Sequence, residues 1–352
     1  ESHAASFAHL VYISSWLKCY FPAVFACGLL NSQPMGFYAP AQIVRDACQH
    51  GVTARAPDIN LSDWDSKLEG NKDAPPILRL GLRRVDGLKQ ADGEMIVAER
   101  PAHGHYQSIS NMHRIGIPVP ALEKLAAADA FRSLGIDRRN ALWQAKALAK
   151  ARPLPLFQHA DARDDGEDLP VTLPRMPLPE HVVNDYQTLK LSLKGHPMEF
   201  LRDHCNAERV IDNQRLKQKK DGDYVTVAGV VLVRQRPGSA KGVVFITLED
   251  EFSVCNIVVW PKVLETHRAI VMGARLMQIR GRIQSIDDII HVVAAKVEDR
   301  TPWLALLSDN EAAFENPLAR ADEIKRPSFD RRAPAARHPR NVRIIPKSRD
   351  FH

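Results

Sequence analysis

Apolar residues recur at helical spacing through the first fifty positions, and at every second position between about 221 and 299. The stretch "SHAASFAHLVYISSWLKCY" predicts a helix, and "PAVFACGLLNS" a second one starting at Pro22, a residue suited to a first helical turn. "APAQIVRDACQHG" predicts a third helix, stopped by Gly51. "VTARAPDINLSDWDSKLE" lacks a period and reads as extended and turn-rich. Beyond it, "RLGLRRVDGLKQADGEMIVAER" gives a strand-like entry, a tight "VDGL" turn and a helix ending near Arg100. "VPALEKLAAADAFRSLGIDRRNALWQAKALAK" adds two or three short helices. A helix, a glycine-bearing turn and a helix, followed by a looser copy, is the layout of a tandem helix-hairpin-helix module.

The period then changes to two. "DYVTVAGVVLVRQRPG" reads as a strand with a turn at Pro237 and Gly238, and "KGVVFITLEDEFSVCNIVVWP" as two strands around a Glu-Asp-Glu turn. "KVLETHRAIV" is a helix, and "ARLMQIRGRIQS" and "IIHVVAAKVED" are strands joined at Asp287 and Asp288. Three strands, a helix and two strands match the five-stranded OB-fold barrel. The predicted fold is therefore α+β and multidomain. It divides into a helical segment over 1–76, the tandem helix-hairpin-helix module over 77–151, a linker with a short helical piece over 152–220, the OB-fold β-barrel over 221–300, and a tail over 301–352.

Composition changes this picture in three places. At 352 residues, 45% hydrophobic and 26% charged, the chain has the make-up of a soluble protein of two or three domains. Its five cysteines form no CxxC pair, which fits a reduced compartment. The most apolar stretch, 7–30, is broken by Lys18 and Pro22, and neither half is long enough to cross about 30 Å of hydrocarbon. The net charge of +6 is concentrated at one end: 325–352 holds nine Lys/Arg and two Asp/Glu, and the rest of the chain is close to neutral. That proline- and arginine-rich tail reads as disordered or as an extended arm that phosphates attract.

Candidate chemistry is sparse. Asp63 and Asp65 in "SDWDS" would share one face of a strand, but no third acid joins them, and turn or capping roles suit them better. No Walker loop, GxSxG or HExxH occurs. Candidate binding residues are clearer. Gly87, with Leu88 and Lys89, forms a turn whose backbone N–H groups can hold a phosphate at a helix N-terminus. Arg234, Arg236, Lys241, Arg280 and Arg282 are cations placed to bind single-stranded DNA on the barrel. Phe245, placed between Val244 and Ile246, reads as barrel core, and Trp260 also reads as packing. Gly93, inside a helix, should cost about 1 kcal/mol relative to alanine.

These residues carry a family resemblance. "ESHAASFAHLVYISSWLKCYFPAVFACGLLNSQPMGFYAPAQIVRDACQHGV" resembles the fingers region of bacterial C-family DNA polymerases, and "NSQPMGFY" its error-prone, second DnaE-type branch. "RPGSAKGVVFITLEDEFSVCNIVVWPKV" resembles the OB-fold of that branch, and "HPRNVRIIPKSRDFH" its C-terminal end. The resemblance implies template-directed nucleotidyl transfer in damage-induced, low-fidelity translesion synthesis in the bacterial cytoplasm. It implies Mg²⁺ in the active site of the parent polymerase, held by palm aspartates. It also implies partnership with an inactive Y-family-like protein and a RecA-like protein. The chain opens at Glu1 with no initiator methionine, and the expectation is a fragment whose palm and PHP domain would precede it. No catalytic or metal-binding residue is then expected here. Ser2 and His3 match the fingers motif near the incoming nucleotide, and Gly87, Leu88 and Lys89 match the turn that grips duplex DNA. Two residues depart from the pattern: Lys89 stands where the motif has a second glycine, and Asp86 precedes the turn. "RPLPLF", with its 153–157 core, resembles a sliding-clamp peptide without the leading glutamine. The rival readings are a non-catalytic DNA-binding adaptor made of the same modules, and an RNA-binding OB protein of the anticodon-binding type, which leaves the residues before Arg152 unexplained.

Overall fold

The computed structural model describes residues 2–35, 39–70, 75–150, 173–286 and 289–307. Asp287 and Asp288, the 153–157 peptide and the basic stretch 325–352 lie outside the described residues. Helices α1 (Ser2–Tyr20), α2 (Pro22–Asn31) and α3 (Pro40–Gln49) stand where the helical spacing put them. Gly51 follows α3 with φ +82°, the left-handed stop expected there. Helices α2 and α3 bury Ala23, Ala26, Leu30, Ile43, Val44 and Ala47. Helix α1 does not behave this way: every side chain from 3 to 16 is exposed, including Phe7, Leu10, Tyr12 and Trp16. A Lys18–Asp46 ion pair of 2.8 Å joins α1 to α3.

The turn-rich stretch folds into a small sheet. Strand β3 (Ile77–Arg79) lies between β1 (Ala54–Arg55), which is parallel to it, and β2 (Lys67–Glu69), which is antiparallel. The sheet thus straddles position 76. Between β1 and β2 a buried polar loop closes on itself. The Asp58 carboxylate accepts from the Asn60 amide at 2.8 Å and the Ser133 amide at 3.0 Å, and the Ser62 hydroxyl donates to the Leu80 carbonyl at 2.7 Å. Buried polar groups persist only when paired in this way. Helices α4 (Gln90–His103), α5 (Ile109–Arg114), α6 (Val119–Ala127) and α7 (Arg138–Lys150) follow. One continuous core runs from Ala23 on α2, through Leu78, Leu80 and Leu82, to Ala145 on α7. Gly93 has a packing reason to sit mid-helix, because a Cβ there would come within 2.4 Å of the Trp64 ring.

Two further helices, α8 (Leu178–Thr188) and α9 (Pro197–Ala207), precede the barrel. The barrel is closed in the order β4-β5-β6-β8-β7, from β4 (Tyr224–Gln235), β5 (Val244–Glu249), β6 (Val254–Val259), β7 (Leu276–Ile286) and β8 (Ile289–Asp299), with α10 (Pro261–Gly273) between β6 and β7. This is the expected OB-fold arrangement of three strands, a helix and two strands. Inward positions such as Val227, Ile246, Ile257, Ile279 and Val292 fill its interior. A smaller core outside the barrel joins Val183, Met198, Leu201 and Cys205 to Ala228, Val230 and Leu276. It fastens α8 and α9 to β4.

Charged pairs hold the pieces in register. Arg138 on α7 and Asp185 on α8 are each 2% exposed and form an ion pair, and Arg138 also donates to the His181 carbonyl at 2.9 Å. Lys194 reaches Asp185 at 2.9 Å and Asp129 at 3.1 Å. At the barrel, Arg45 of α3 pairs with buried Glu249 and donates to the Asp250 carbonyl at 3.2 Å. Burial pushes the Glu249 carboxyl up, but His196 and Arg45 outweigh it and the net displacement is downward.

Removing one member of a buried pair strands the other charge, so Arg138→Ala should lower stability by about 3–5 kcal/mol in urea unfolding. Arg138→Met combined with Asp185→Leu should cost much less, because neither charge is then left buried alone. For Glu249, a carboxylate held low gives stability that is full above its ordinary value of 4.5 and is lost as pH falls through the lower folded value. Glu249→Gln should therefore lower the melting temperature at neutral pH and flatten its fall in acid.

Candidate nucleic-acid interface

The hairpin turn is built as its sequence requires. A short 3-10 turn over Leu82–Arg84 leads into it, and Gly87 adopts φ +70°, a region costly to other residues by about 1–2 kcal/mol. Leu88 is buried in the core, and its amide donates to the Val85 carbonyl at 3.2 Å, so Leu88 anchors the turn rather than facing a ligand. Lys89 is exposed at the N-cap of α4, with no side-chain cap on the helix. Among the described residues no carbonyl accepts from the amides of Gly87 or Lys89. Those donors lie at the positive end of α4, where an anion is favoured.

Two contacts that sequence reasoning missed shape the charge here. Lys124 of α6 donates to the Gly87 carbonyl, and its side chain lies 3.4 Å from where a Gly87 Cβ would stand. The Asp86 carboxylate, whose negative charge opposes binding of a phosphate, is matched by Lys190 at 3.0 Å, and the Asp86 amide donates to the Thr188 carbonyl at 2.7 Å. No local signal marks either lysine: Lys124 lies 37 positions away from Gly87 and Lys190 lies 104 from Asp86. The looser second copy turns at Gly116, with φ +107°, between α5 and α6. Its amide is already taken by the His113 carbonyl at 3.0 Å, and that of Ile117 by Met112 at 3.1 Å. Of the two turns, the first is therefore the one whose amides remain open among the described residues.

On the barrel the expected cations separate. Arg234 is turned inward: it is 2% exposed and donates to the carbonyls of Val271, at 2.7 Å, and Ala274. Burial pulls its guanidinium down to about 10, with Asp299 opposing. It braces the end of α10 and is not part of a DNA-facing surface, which corrects the sequence assignment. Arg236 and Lys241 are exposed on the β4–β5 connection, Lys241 with φ +47°. Arg280 and Arg282 are exposed on β7, opposite Thr226 and Tyr224 at the other end of β4. The two groups therefore sit at opposite ends of β4, about 35 Å apart along the strand itself.

Two aromatic assignments also change. Phe245 points out of the barrel between buried Val244 and Ile246, 38% exposed, and Trp260 at the start of α10 is 53% exposed. Phe245 stands opposite Val258, which pairs with Val293, then Arg282, then Tyr224, so one outward row crosses all five strands. At the other extreme of the chain, His3 is exposed on α1 with its ring edge-on to Phe7 at 4.6 Å, and Ser2 is the first residue of that helix.

The hairpin and the barrel each match a known family. The family described as a helix-hairpin-helix motif covers residues 51–141, and the OB-fold nucleic acid binding domain covers residues 225–300. An error-prone DNA polymerase of Brucella abortus biovar 1 (strain 9-941) is 51% identical over all of this chain and 31% of its own length. One from Rhodopseudomonas palustris (strain BisB5) is 50% identical, again over all of this chain and 34% of its own. The resemblance to error-prone DNA polymerases holds along the entire chain. The chain spans about a third of the length of these curated relatives. Among solved structures, asparaginyl-tRNA synthetase from Pyrococcus horikoshii complexed with asparaginyl-adenylate is 22% identical over 26% of this chain and 22% of its own, with a TM-score of 0.23. A likeness that small has no bearing on function.

Gly87→Ala should lower stability by about 1 kcal/mol through its positive φ. The same change should weaken duplex binding by misaiming the turn's amides, read by fluorescence anisotropy on a labelled duplex at matched folded fraction.

Proposed function

We propose that the chain is the DNA-holding part of an error-prone DNA polymerase used in damage-induced translesion synthesis. The observation that carries this reading is a match along the entire chain to proteins of that name, with an open hairpin turn and an OB-fold barrel in one polypeptide. The amides of Gly87 and Lys89 hold duplex phosphates without reading bases, and the barrel takes the single-stranded template. Ser2 and His3 lie near the nascent pair. The exposed apolar side chains of α1 support docking onto further polymerase polypeptide, since contiguous apolar surface of this kind marks an interaction site.

In this reading the Mg²⁺ of the parent polymerase is held by palm aspartates, and the paired acids present here are committed to other partners. Asp63 is engaged by Lys67 at 3.0 Å and Arg100 at 3.6 Å, and Asp65 by Arg83 at 2.6 Å. Among the described residues no three His, Cys, Asp or Glu side chains converge. No chemical step is assigned to this chain. Among the described residues no helix is long and apolar enough to cross a membrane, and the proposed setting is the bacterial cytoplasm. The proposed partners are DNA, the inactive Y-family-like and RecA-like proteins of a mutagenic cassette, and a sliding clamp at 153–157.

The chain alone should bind primed DNA with a steep salt dependence and incorporate no nucleotide when Mg²⁺ and template are supplied. Deleting 325–352 should make the slope of log affinity against log salt shallower by about 0.7–0.9 for each phosphate that the tail neutralises. Incorporation by the chain alone would overturn the placement of the chemistry elsewhere. Failure to bind primed DNA at about 0.1 M salt would overturn the reading itself.

A further inference from the structure

The structure assigns a single-strand track to the β4–β7–β8 face of the barrel, away from the β4–β5 connection that holds Arg236 and Lys241. The inference rests on the DNA-binding reading above and adds where the strand lies. Two adjoining hollows, of about 350 and 190 Å³, share Glu208, Thr226 and Arg280. Arg209, Lys219 and Tyr224 line the larger, and Lys296 the smaller. All four of these side chains and Arg280 are exposed.

The charges fit an anion threaded through both hollows. Among the described residues Arg209, Lys219 and Arg280 have no acid partner. The acids at the site are engaged: Glu298 by Lys296 and, at 2.9 Å, by Arg300, and Glu208 by Arg300. The hydrogen bond from Lys296 is the main cause that draws the Glu298 carboxyl below its ordinary range.

Two features here work against stability and gain a reason if phosphate passes between them. Arg280 and Lys296 stand directly opposite each other across β7 and β8, a like-charge pairing that destabilises a sheet. Arg209 takes φ +59° after α9, at a position where glycine or asparagine is usual.

The shape selects one strand over two. The segment after α9 runs beside β4, with Ile211 bridged to Val227, and walls the hollow on that side. Hollows of these volumes hold about one nucleotide each, in single file, and are too small to take both strands of a base-paired duplex. Tyr224 stands at the open end, 66% exposed and beside Arg282, and offers a ring face on which a base of any sequence can stack.

The test uses the whole chain and an oligothymidylate of about 20 nucleotides, with anisotropy measured across a salt series. Lys219→Ala with Arg280→Ala should make the slope shallower by about 1.4, two single-strand phosphate contacts. Tyr224→Ala should weaken binding about fivefold or more. Duplex affinity should hold in both variants. Lys219→Glu, a single exposed change, repeats the test if the double variant melts early. The track is overturned if both charge variants keep the wild-type slope, if Arg236→Ala with Lys241→Ala flattens the slope instead, or if duplex binding falls equally. A wild-type chain that binds neither DNA would sink the underlying DNA-binding reading, an outcome distinct from these.

Discussion

The buried contact between Arg138 and Asp185 is the constraint on which the rest depends. Helices α7 and α8 are separated along the chain by residues 151–177, and this pair sets how they meet. Lys194 draws Asp129 into the same cluster, so the loop after α6 is fixed as well. Because α8 and α9 are packed on β4, the cluster also sets where the barrel lies relative to the hairpin turn. Arg45 and Glu249 supply a second tie from α3. Such pairs contribute little net stability after desolvation but penalise any other arrangement heavily. Within the proposed function, that rigidity fixes the path between a duplex at the hairpin and a single strand at the barrel.

At the hairpin, backbone and charge divide the work of building a turn that favours an anion. Gly87 supplies the left-handed turn that leaves amides open. Leu88 pins that turn into the core. Lys124 and Lys190, from distant elements, offset the electronegative features of the turn, the Gly87 carbonyl and the Asp86 carboxylate. The result is a positive rim whose strength comes from tertiary neighbours rather than from the motif. The second turn has the same outline, but its amides close onto α5, leaving it a connector.

The barrel divides its arginines by role. Arg234 is spent on the carbonyls at the end of α10, where an unsatisfied helix terminus would otherwise be buried. Arg280 and Arg282 stay outward on β7 beside Tyr224. Cysteines follow the same inside-outside division: Cys205 and Cys255 are buried thiols, with burial pushing Cys255 up to about 12, while Cys19 and Cys48 are exposed.

The sequence by itself determined the order of elements, the strand–helix–strand plan of the barrel and the left-handed turn at Gly87. Each is a local matter of period, turn chemistry or steric freedom within a few residues. Period two also marked the buried strand positions, and with Val244 and Ile246 inside it puts Phe245 outside; the core reading of Phe245 came from its apolar neighbours instead, which do not say which face a side chain occupies. Arg234 was misread for a related reason: its inward aim depends on carbonyls 37 and 40 positions away, which no local pattern reports. Only the tertiary structure decided those orientations, the partners of Asp86 and Gly87, and the sheet that joins β3 to β1 and β2. Burial and ion pairing arise from what folds against a residue, and that information is spread over the whole chain.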